Sequence, residues 1–242
     1  MTARLHVDLP EGALATGRTI ALPDGCAHHA LRALRMRDGD AVTLFDGRGG
    51  EWRASLVVAG RRDAHARIEA HDPVEREAPL AVTLALARIA SDAMDSAVRK
   101  AVELGAAAIA PVVAARSQGA TQGAMRAEHW RRIAIAACEQ CGRNRIPPIA
   151  DPVPLSEWLG ARAQPRAGIA LVPGAAKPLG EIAVDRALDL AIGPEGGWTP
   201  EETRALGHHG FIAASIGPRI LRADTACVAA LSVVLSSGGG LR

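Results

Sequence analysis

Two short stretches near the C-terminus combine glycine–proline turns with charged side chains that could act on a bound molecule. The first, Ile192–Glu202, reads IGPEGGWTPEE, and the second, Ser215–Ala226, reads SIGPRILRADTA. Each stretch begins where an apolar, strand-like run ends, and each leads into a helical pattern. Ligands of open α/β folds bind in the crevice outside the carboxyl ends of the strands. The pair therefore predicts a pocket walled largely by backbone, beside Glu195, Arg222 and Asp224.

The spacing of these glycines excludes several common sites. Neither stretch fits G-x-G-x-x-G, and the chain contains no G-x-x-x-x-G-K-[ST] and no G-x-S-x-G. A dinucleotide-binding fold, a P-loop ATPase and a serine hydrolase elbow are therefore disfavoured. Gly193, Gly196 and Gly197 permit a positive φ and the close approach of a ligand. Either stretch alone is equally well an ordinary tight turn, so the prediction of a site depends on the pair.

Two further motifs have plain structural interpretations. Cys138 and Cys141 form a C-x-x-C pair near the predicted end of a helix, whereas a redox motif needs its first cysteine at a helix N-terminus. Zinc would need a second pair of ligands at suitable spacing, so we expect helix packing and no metal. The segment 139–147 places Arg143 and Arg145 after that helix. They could grip phosphates, or they could be part of an ordinary charged loop.

Composition and charge narrow the class of protein. The 242 residues can bury a substantial core. Residues 76–150 hold ten Lys and Arg against six Asp and Glu, which marks this segment as a candidate nucleic-acid face or a solvated helix surface. No apolar run reaches the roughly 20 residues that span a bilayer, and no signal peptide is recognisable. Four cysteines without a disulfide framework fit a reducing cytosol, so we expect a cytoplasmic protein.

The first part of the chain reads as a small β-barrel. Strands are predicted at 41–45, 51–58 and 64–70, with a turn at Asp46-Gly47 and a short helix at 26–35. The polar segment 71–79 contains two prolines and is predicted to hold the linker. The domain boundaries that follow are 1–72 for the barrel, 73–79 for the linker and 80–242 for the second domain.

From Leu80 onward strands and helices alternate, which predicts a mainly parallel sheet. Strands are expected at 80–87, 107–113, 169–172, 188–192 and 211–216. Ser91 is a possible cap for a helix that stops at Gly105, and further helices are expected at 127–141 and 225–236. Thr199, Pro200 and Glu202 predict a capping box at another helix start.

Taken together, the motifs resemble the RsmE family of 16S ribosomal RNA uridine N3-methyltransferases, in the SPOUT (trefoil-knot) superfamily. The two glycine stretches look like the family's cofactor loops. Lys100–Gly105, Arg116-Ser117, and Glu139-Gln140 followed by Arg143 and Pro147 look like its internal signatures. His29, Leu34-Arg35, Gly39-Asp40 and Asp46-Gly47 look like its PUA-like RNA-binding barrel. Asp224 stands where many members have Glu.

The resemblance implies a C-terminal trefoil-knot domain that binds S-adenosyl-L-methionine, leaves S-adenosyl-L-homocysteine and needs no metal. It also implies a homodimer acting on 16S rRNA, within the small ribosomal subunit and away from membranes, at uracil-1498 in the family's naming. The cofactor would contact Leu171, Val172, Pro173, Ile192, Gly193, Pro194, Glu195, Gly196, Gly197, Ser215, Ile216, Gly217, Ile220, Leu221, Arg222, Thr225 and Ala226. The RNA would contact Arg32, Arg35, Arg37, Arg116, Glu139, Gln140, Arg143 and Arg145.

Methyl transfer to uracil N3 requires removal of its proton, for which a positioned carboxylate is the ordinary base. Asp224 and Glu195 are the candidates, with Glu139 a distant third. Arg222 or Arg143 could instead stabilise the uracil anion through its oxygens. Two rival functions stay open: 2′-O-ribose methylation of RNA, and a ribosome-binding assembly factor without catalysis.

Overall fold

The computed structural model describes residues 2–118, 124–162 and 166–240, and it divides into two compact units. The smaller unit contains Met1–Arg76 together with Cys138–Ile146, and the larger contains Glu77–Ala137 together with Pro147–Arg242. The sequence gives no sign that 138–146 groups with the N-terminal part of the chain. The two units are described separately.

The smaller unit is built on one five-stranded sheet. Its strands are β1 (Ala3–His6), β2 (Thr19–Ala21), β3 (Ala41–Phe45), β4 (Glu51–Val58) and β5 (Ala64–Asp72). Their order across the sheet is β1-β3-β4-β5-β2; β1 runs parallel to β3, and the other pairs are antiparallel. Helix α1 (Asp24–His28) continues into one π-helical turn at His29–Ala33. The predicted strands are confirmed, whereas β1 and β2 are not in the sequence-based prediction.

Alternation of side chains creates the core of this unit. Successive strand residues point to opposite faces, so every second residue lies inside. The inward residues are small or aliphatic, and they pack with the buried side of α1: Leu5, Val42, Leu44, Ala54, Leu56, Ala64, Ala66, Ile68 and Ala27. The interior of this sheet is therefore filled by side chains.

The larger unit alternates strands and helices. Its helices are α2 (Ser91–Leu104), α3 (Ala124–Cys141, whose last four residues group with the smaller unit), α4 (Leu155–Ala161), α5 (Pro200–His208) and α6 (Ala223–Ser237). Its strands are β6 (Ala81–Ala87), β7 (Ala108–Val113), β8 (Val153–Pro154), β9 (Ala167–Leu171), β10 (Ala187–Ile192) and β11 (Phe211–Ala214). The strand order is β11-β9-β10-β6-β7-β8, and every pairing among the described strands is parallel. The expected mainly parallel sheet is confirmed.

Local signals fix where the helices begin and end. Gly105 takes a left-handed φ of 101° and ends α2, as predicted. The residue before α2 is Ala90, so Ser91 is the first helical residue and not the cap that we predicted. Thr199 caps α5 through the full capping box, with Pro200 at the first position. The capping box therefore fixes where the first glycine stretch ends and α5 begins.

The connection between β9 and β10 lies against the chain that leads into α6. Ser215 exchanges backbone hydrogen bonds with Lys177 and Leu179 of this connection. A short 3₁₀ turn at Leu179–Glu181 contacts α6, which also packs against α2 and β10. This connection is therefore held between Ser215 and the last helix, and the knot implied by the resemblance stays a prediction. Within the part of the chain that the structure describes, none of the helices has the length and apolar character to cross a membrane.

Candidate functional site

The first glycine stretch is a tight turn fastened on several sides. The Gly197 N–H donates to the Pro194 carbonyl at 2.8 Å, and Gly197 itself has a φ of 68°. Arg116 Nη1 donates to the Gly196 carbonyl at 2.6 Å. The indole N–H of Trp198, which is 8% exposed, donates to the Leu171 carbonyl at 3.2 Å. The turn is therefore anchored to the end of β9 and to the segment that follows β7.

The glycines of this turn serve close packing. A Cβ on Gly193 would lie 3.2 Å from the Trp198 ring, and a Cβ on Gly196 would lie 3.1 Å from the Arg116 side chain. Both distances are tighter than ordinary van der Waals contact, so either neighbour would have to move. The turn needs these glycines because two large side chains lie directly over its backbone.

The second glycine stretch is open. Gly217 has a φ of 70°, and nothing lies within 4 Å of the position where its Cβ would be. Ile220 is 84% exposed, and Arg219 and Arg222 are also exposed. After Ser215 the stretch follows the surface until Ala223 enters α6. Here glycine supplies a backbone conformation and leaves room beside it.

A pocket lies between the end of β9 and this second stretch. Its walls come from the carboxyl end of β9 and from the segment after β11: Leu171, Val172, Pro173, Ala214, Ser215, Ile216, Gly217, Arg219, Leu221 and Ala226. β9 and β11 are neighbours in the sheet, with Leu171 paired to Ala214. The pocket is thus at the carboxyl edge of a parallel sheet, where such folds bind ligands.

Most residues that the sequence pointed to meet in or beside this pocket. The first stretch does not line it, although its strand is in register: Ile192 pairs with Leu171 on β9. Ile220, Arg222 and Thr225 are exposed next to the pocket-lining residues of the second stretch. The first stretch therefore supports the wall of the pocket, chiefly through the bond from Trp198 to Leu171.

The three candidate catalytic side chains are placed differently. Asp224 lies in the first turn of α6, partly buried, two residues before Ala226 of the pocket. Arg222 occupies the N-cap position of the same helix and is exposed. Glu195 is exposed on the first turn, with Oε1 at 3.5 Å from the Ala90 backbone N–H. Of the two carboxylates, Asp224 is the one on the pocket's own segment.

Comparison with known proteins decides the family. The model of an RNA methyltransferase domain matches residues 76–235, and that of an RNA methyltransferase PUA domain matches residues 22–69. Ribosomal RNA small subunit methyltransferase E of Synechocystis is 34% identical over 225 residues, covering 89% of this chain and 72% of the relative. The chain belongs to the ribosomal RNA small subunit methyltransferase E family.

Solved structures agree with this assignment. The family member from Neisseria gonorrhoeae, bound to S-adenosyl methionine, is 35% identical, covers 98% of both chains and superposes with a TM-score of 0.91. A Legionella pneumophila protein in complex with the bound cofactor SAM is 34% identical, with 98% coverage of both chains and a TM-score of 0.92. The predicted architecture, an RNA methyltransferase domain with a mainly parallel sheet after a PUA domain, is confirmed.

The predicted RNA-contacting residues of this chain lie in the smaller unit, in the segment after α3, and at Arg116. Arg32, Arg35 and Arg37 are exposed on the smaller unit, on and after the π-helical turn. Arg32 shares a surface depression with Arg62 and another with Arg61, both at the end of the β4–β5 hairpin. Arg61 and Arg62 are not among the RNA contacts predicted from the sequence, although their position in a tight turn between two predicted strands indicates exposed side chains. The depression with Arg62 is also lined by Asp24 and Asp63, so these exposed guanidiniums lie beside carboxylates.

The segment after α3 is mostly structural. Glu139 accepts a hydrogen bond from the His6 backbone N–H at 2.9 Å. Asn144 is fully buried; its Oδ1 accepts from Arg4 at 2.6 Å, and its Nδ2 donates to the Val74 carbonyl at 2.8 Å. Arg143 is only 3% exposed. Because buried polar groups need such partners, these residues are held for packing. The interpretation of 139–145 as an RNA grip fits only Gln140 and Arg145, which are exposed.

Electrostatics support this structural role. Burial raises the pKa of Glu139, an effect that the His6 N–H bond and nearby cations partly oppose. Burial acts in the same direction on Glu51, but Arg76 and Arg4 bind its carboxylate and bring its pKa to about 2. Arg4 joins Glu51, at 2.6 Å, to Asn144. An ionised Glu51 therefore contributes to holding residues 138–146 within the smaller unit.

Arg116 and Arg145 are the remaining predicted RNA contacts. Arg116 is exposed but already donates to the Gly196 carbonyl, and Arg145 pairs with Glu75 at 3.0 Å. Cys138 is buried, with Sγ 3.6 Å from the Arg145 carbonyl, and all four cysteines are free thiols. Among the described residues no cluster of three or more His, Cys, Asp or Glu side chains could hold a metal ion.

Proposed function

We propose that this protein transfers a methyl group from S-adenosyl-L-methionine to N3 of a uridine in 16S ribosomal RNA. The observation that carries the proposal is the pocket at the ends of β9 and β11. Its lining contains Leu171, Val172, Pro173, Ser215, Ile216, Gly217, Leu221 and Ala226, all of which the family resemblance had assigned to the cofactor. S-adenosylmethionine is bound by solved relatives that superpose over almost the whole chain.

The pocket suits a cofactor with a flat base and a charged tail. Leu171 and Leu221 offer apolar surface, Gly217 is exposed, and Arg219 adds a guanidinium to the lining. The left-handed φ of Gly217 permits the close approach of a ligand without a side chain in the way. Backbone N–H and C=O groups of the second glycine stretch would then form hydrogen bonds with the edge of the adenine.

The chemistry at uracil N3 requires a base and a favourable place for negative charge. Asp224 is our proposed base because it is partly buried and lies on the segment that lines the pocket. Arg222 is exposed two residues before Asp224, and it would donate to a uracil oxygen as the anion forms; Glu195 is exposed on the first glycine stretch. Holding the two reactants in line contributes up to about 7–11 kcal/mol to the lowering of the barrier. Glu139 is not needed, since the His6 N–H holds it elsewhere.

A homodimer is the second part of the proposal. The last helix is apolar nearly all round: Cys227, Leu231 and Val234 are buried, while Val228 and Val233 on other sides stay partly exposed. A helix that is hydrophobic on every side belongs in an interior. A second copy of the chain would cover this face. Sedimentation at micromolar concentration should then give twice the 25.1 kDa of the chain; a monomer would count against the dimer alone.

The RNA partner is best matched by the exposed arginines of the smaller unit. Arg32, Arg35, Arg37, Arg61 and Arg62 are all exposed, and aromatic residues are scarce at 2% of the chain. We therefore expect phosphate contacts to dominate over base stacking, so that binding weakens steeply with salt. An enzyme acting on small-subunit RNA works where that RNA is assembled, so we propose a cytoplasmic location.

The deciding experiment is methyl transfer from labelled S-adenosylmethionine to small ribosomal subunits from a strain lacking this gene. The RNA is then digested to nucleosides and the label is located. Naked 16S RNA tested in parallel tells free RNA from the assembled subunit as substrate.

Label in 3-methyluridine would establish the proposal. Label in a 2′-O-methylated nucleoside would replace base methylation with ribose methylation. Cofactor binding without any transfer would leave the family assignment intact and require a different RNA. Absence of cofactor binding would favour an assembly factor without catalysis.

A further inference from the structure

Two adjoining depressions on the smaller unit differ in the charges that line them. The larger, of about 680 Å³, is lined by residues of α1, the π-helical turn and the turn between β4 and β5: Asp24, His28, Arg32, Arg62 and Asp63. The smaller, of about 260 Å³, is lined by Leu31, Arg32, Gly60 and Arg61. Arg32 belongs to both, so the two depressions are neighbours. The larger depression therefore combines cations with carboxylates, whereas the smaller one has two arginines and no carboxylate among its described lining residues.

The charges around the larger depression do not satisfy one another. In the part of the chain that the structure describes, no two of its five lining side chains form a hydrogen bond or an ion pair with each other. All five residues are exposed. The turn that carries Arg62 and Asp63 is closed by the backbone N–H groups of Ala59 and Gly60, which donate to the Asp63 carbonyl at 3.0 and 3.2 Å. The backbone of Asp63 therefore closes the turn, and its carboxylate is available to a ligand.

A simple ion does not fit this mixture of charges. The two carboxylates repel a phosphate, and the two guanidiniums repel a cation. The edge of a nucleobase, in contrast, presents hydrogen-bond donors and acceptors side by side without a net charge. A ligand of this kind can satisfy both signs of charge at once.

Guanine matches the lining best among the bases. Its N1–H and N2 amino group are adjacent donors for a carboxylate, and its O6 and N7 are adjacent acceptors for a guanidinium. Adenine, cytosine and uracil have no such pair of adjacent donor groups. His28 has the only ring among the described lining residues, and a histidine ring can stack on an unpaired base.

The smaller depression suits the phosphate next to such a base. Arg32 and Arg61 supply guanidiniums, whose fork matches phosphate oxygens. The Asp63 carboxylate marks the boundary between the depressions, because its Oδ2 lies 3.2 Å from where a Cβ of Gly60 would be. We therefore expect the phosphate on the Arg61 side of this boundary.

We propose that the larger depression binds an unpaired guanine of the RNA substrate and that the smaller one binds the phosphate beside it. The inference rests on the proposed function, because it assumes that RNA is the substrate. Asp24 and Asp63 would accept from N1–H and the N2 amino group, Arg62 would donate to O6 and N7, and Arg61 would hold the phosphate. Phosphate contacts position a nucleic acid, whereas base contacts specify its sequence. The smaller unit would thereby select an RNA sequence as well as attract RNA.

The first test measures the affinity of the full-length protein for short single-stranded RNAs. Oligouridine carries one central guanine, and matched RNAs carry uracil, inosine or 7-deazaguanine at that place. Inosine lacks the N2 amino group, and 7-deazaguanine lacks the N7 acceptor. Wild type should bind the guanine RNA at least about fivefold more tightly than the uracil RNA, with both analogues in between.

Asp63→Asn is the sharpest variant because two explanations predict opposite signs for it. If the arginines only attract phosphates, loss of a nearby negative charge strengthens the binding of every RNA. If the depression reads guanine, the variant binds the guanine RNA more weakly and no longer prefers it to the inosine RNA. Glu69→Gln is the matched control, since it removes an exposed carboxylate of β5 that lines neither depression, and it should leave these preferences unchanged. Circular dichroism melting checks that both variants fold.

Two adjacent arginines of the turn separate the base from the phosphate. Arg62→Gln should abolish the preference for guanine over 7-deazaguanine. Arg61→Gln should keep that preference, weaken the binding of all the RNAs alike and reduce the slope of log affinity against log salt by about 0.7.

The possible failures are distinguishable. Equal affinity for the guanine and uracil RNAs, in a wild type that methylates small subunits, would overturn this inference alone. Tighter binding of every RNA by Asp63→Asn would also overturn it and assign both depressions to phosphates. A wild type that neither binds 16S RNA nor transfers a methyl group to it would remove the proposed function and this inference together.

Discussion

The two glycine stretches look alike in sequence but do opposite work in the structure. In the first, Gly193 and Gly196 make room for Trp198 and Arg116, which lie within about 3 Å of where a Cβ would be. In the second, Gly217 has open space around it and a left-handed backbone. One stretch is a packed bracket, and the other is an exposed rim that lines the pocket.

The difference shows that the same residue type answers two physical demands. A glycine under a large side chain is fixed by sterics, so its replacement should affect folding. A glycine at positive φ beside empty space is fixed by backbone conformation, so its replacement should affect the shape of the rim. Each stretch is followed by a helix with an acidic residue in its first turn, Glu201 in α5 and Asp224 in α6. This symmetry supplies matched controls.

The largest expected effect separates the two acidic residues. Asp224→Asn should lower single-turnover methyl transfer by about 10²–10⁴-fold, because it removes the proposed base, while cofactor affinity is retained. Glu201→Gln, at the exposed equivalent place after the first stretch, should leave the rate unchanged. Rapid-quench transfer to small subunits and calorimetry with the cofactor measure the two quantities. Unchanged turnover in Asp224→Asn would remove this residue from the mechanism and leave Glu195 as the candidate.

The next effect concerns the bracket. Trp198→Ala should reduce the free energy of unfolding by about 3–5 kcal/mol, since it empties a buried site and leaves the Leu171 carbonyl without its donor. Trp198→Phe keeps most of the volume and should lose about 1–2 kcal/mol. Urea unfolding followed by circular dichroism measures both. Equal stability of wild type and Trp198→Ala would mean that the first stretch is not a bracket.

Gly217→Ala tests the rim. A left-handed φ costs an alanine about 1–2 kcal/mol. The variant should therefore either lose that amount of its free energy of unfolding or let the rim relax to another conformation. Relaxation should weaken S-adenosylmethionine binding by roughly threefold or more, as followed by calorimetry, because the cofactor must then restore the strained conformation. Gly207→Ala is the control: it lies in α5 with an ordinary φ and open space, and it should stabilise the helix by about 0.5–1 kcal/mol. Full cofactor affinity in Gly217→Ala would show that the rim conformation is not needed.

The sequence predicted several helix ends correctly because the signals for them are local. Thr199, Pro200 and Glu202 specify a capping box within four residues, and Gly105 specifies a helix end by its own conformation. The strand β4 was predicted at its observed bounds because alternation marks it directly. These helix ends and strands therefore followed from short-range patterns, and the family resemblance joined the motifs. The pocket was predicted between both glycine stretches, but only the second stretch lines it.

What the sequence did not reveal depends on partners far along the chain. β1 and β2 have four and three residues, and they are strands because β3 and β5 offer edges to pair with. Arg143 and Asn144 read as a charged loop, but residues 70 or more positions away enclose Asn144. Arg88, after β6, and Arg126, on α3, line one cavity although they are far apart along the chain. No local pattern contains that information.

The smallest effect tests how tightly the bracket is joined to its helix. Thr199 Oγ1 accepts a hydrogen bond from the Glu202 backbone N–H at 3.2 Å, and Glu202 Oε2 accepts one from the Thr199 backbone N–H at 2.8 Å. Thr199→Ala should lower the free energy of unfolding by about 1 kcal/mol, whereas Thr199→Ser retains the hydroxyl and should stay near wild type. Glu202 also accepts from the Ala115 N–H at 2.7 Å, so its carboxylate stays anchored after the hydroxyl is lost. Urea midpoints of the two variants therefore report the hydroxyl bond alone, and a loss well above 2 kcal/mol would show that the cap and the Ala115 contact act as one unit.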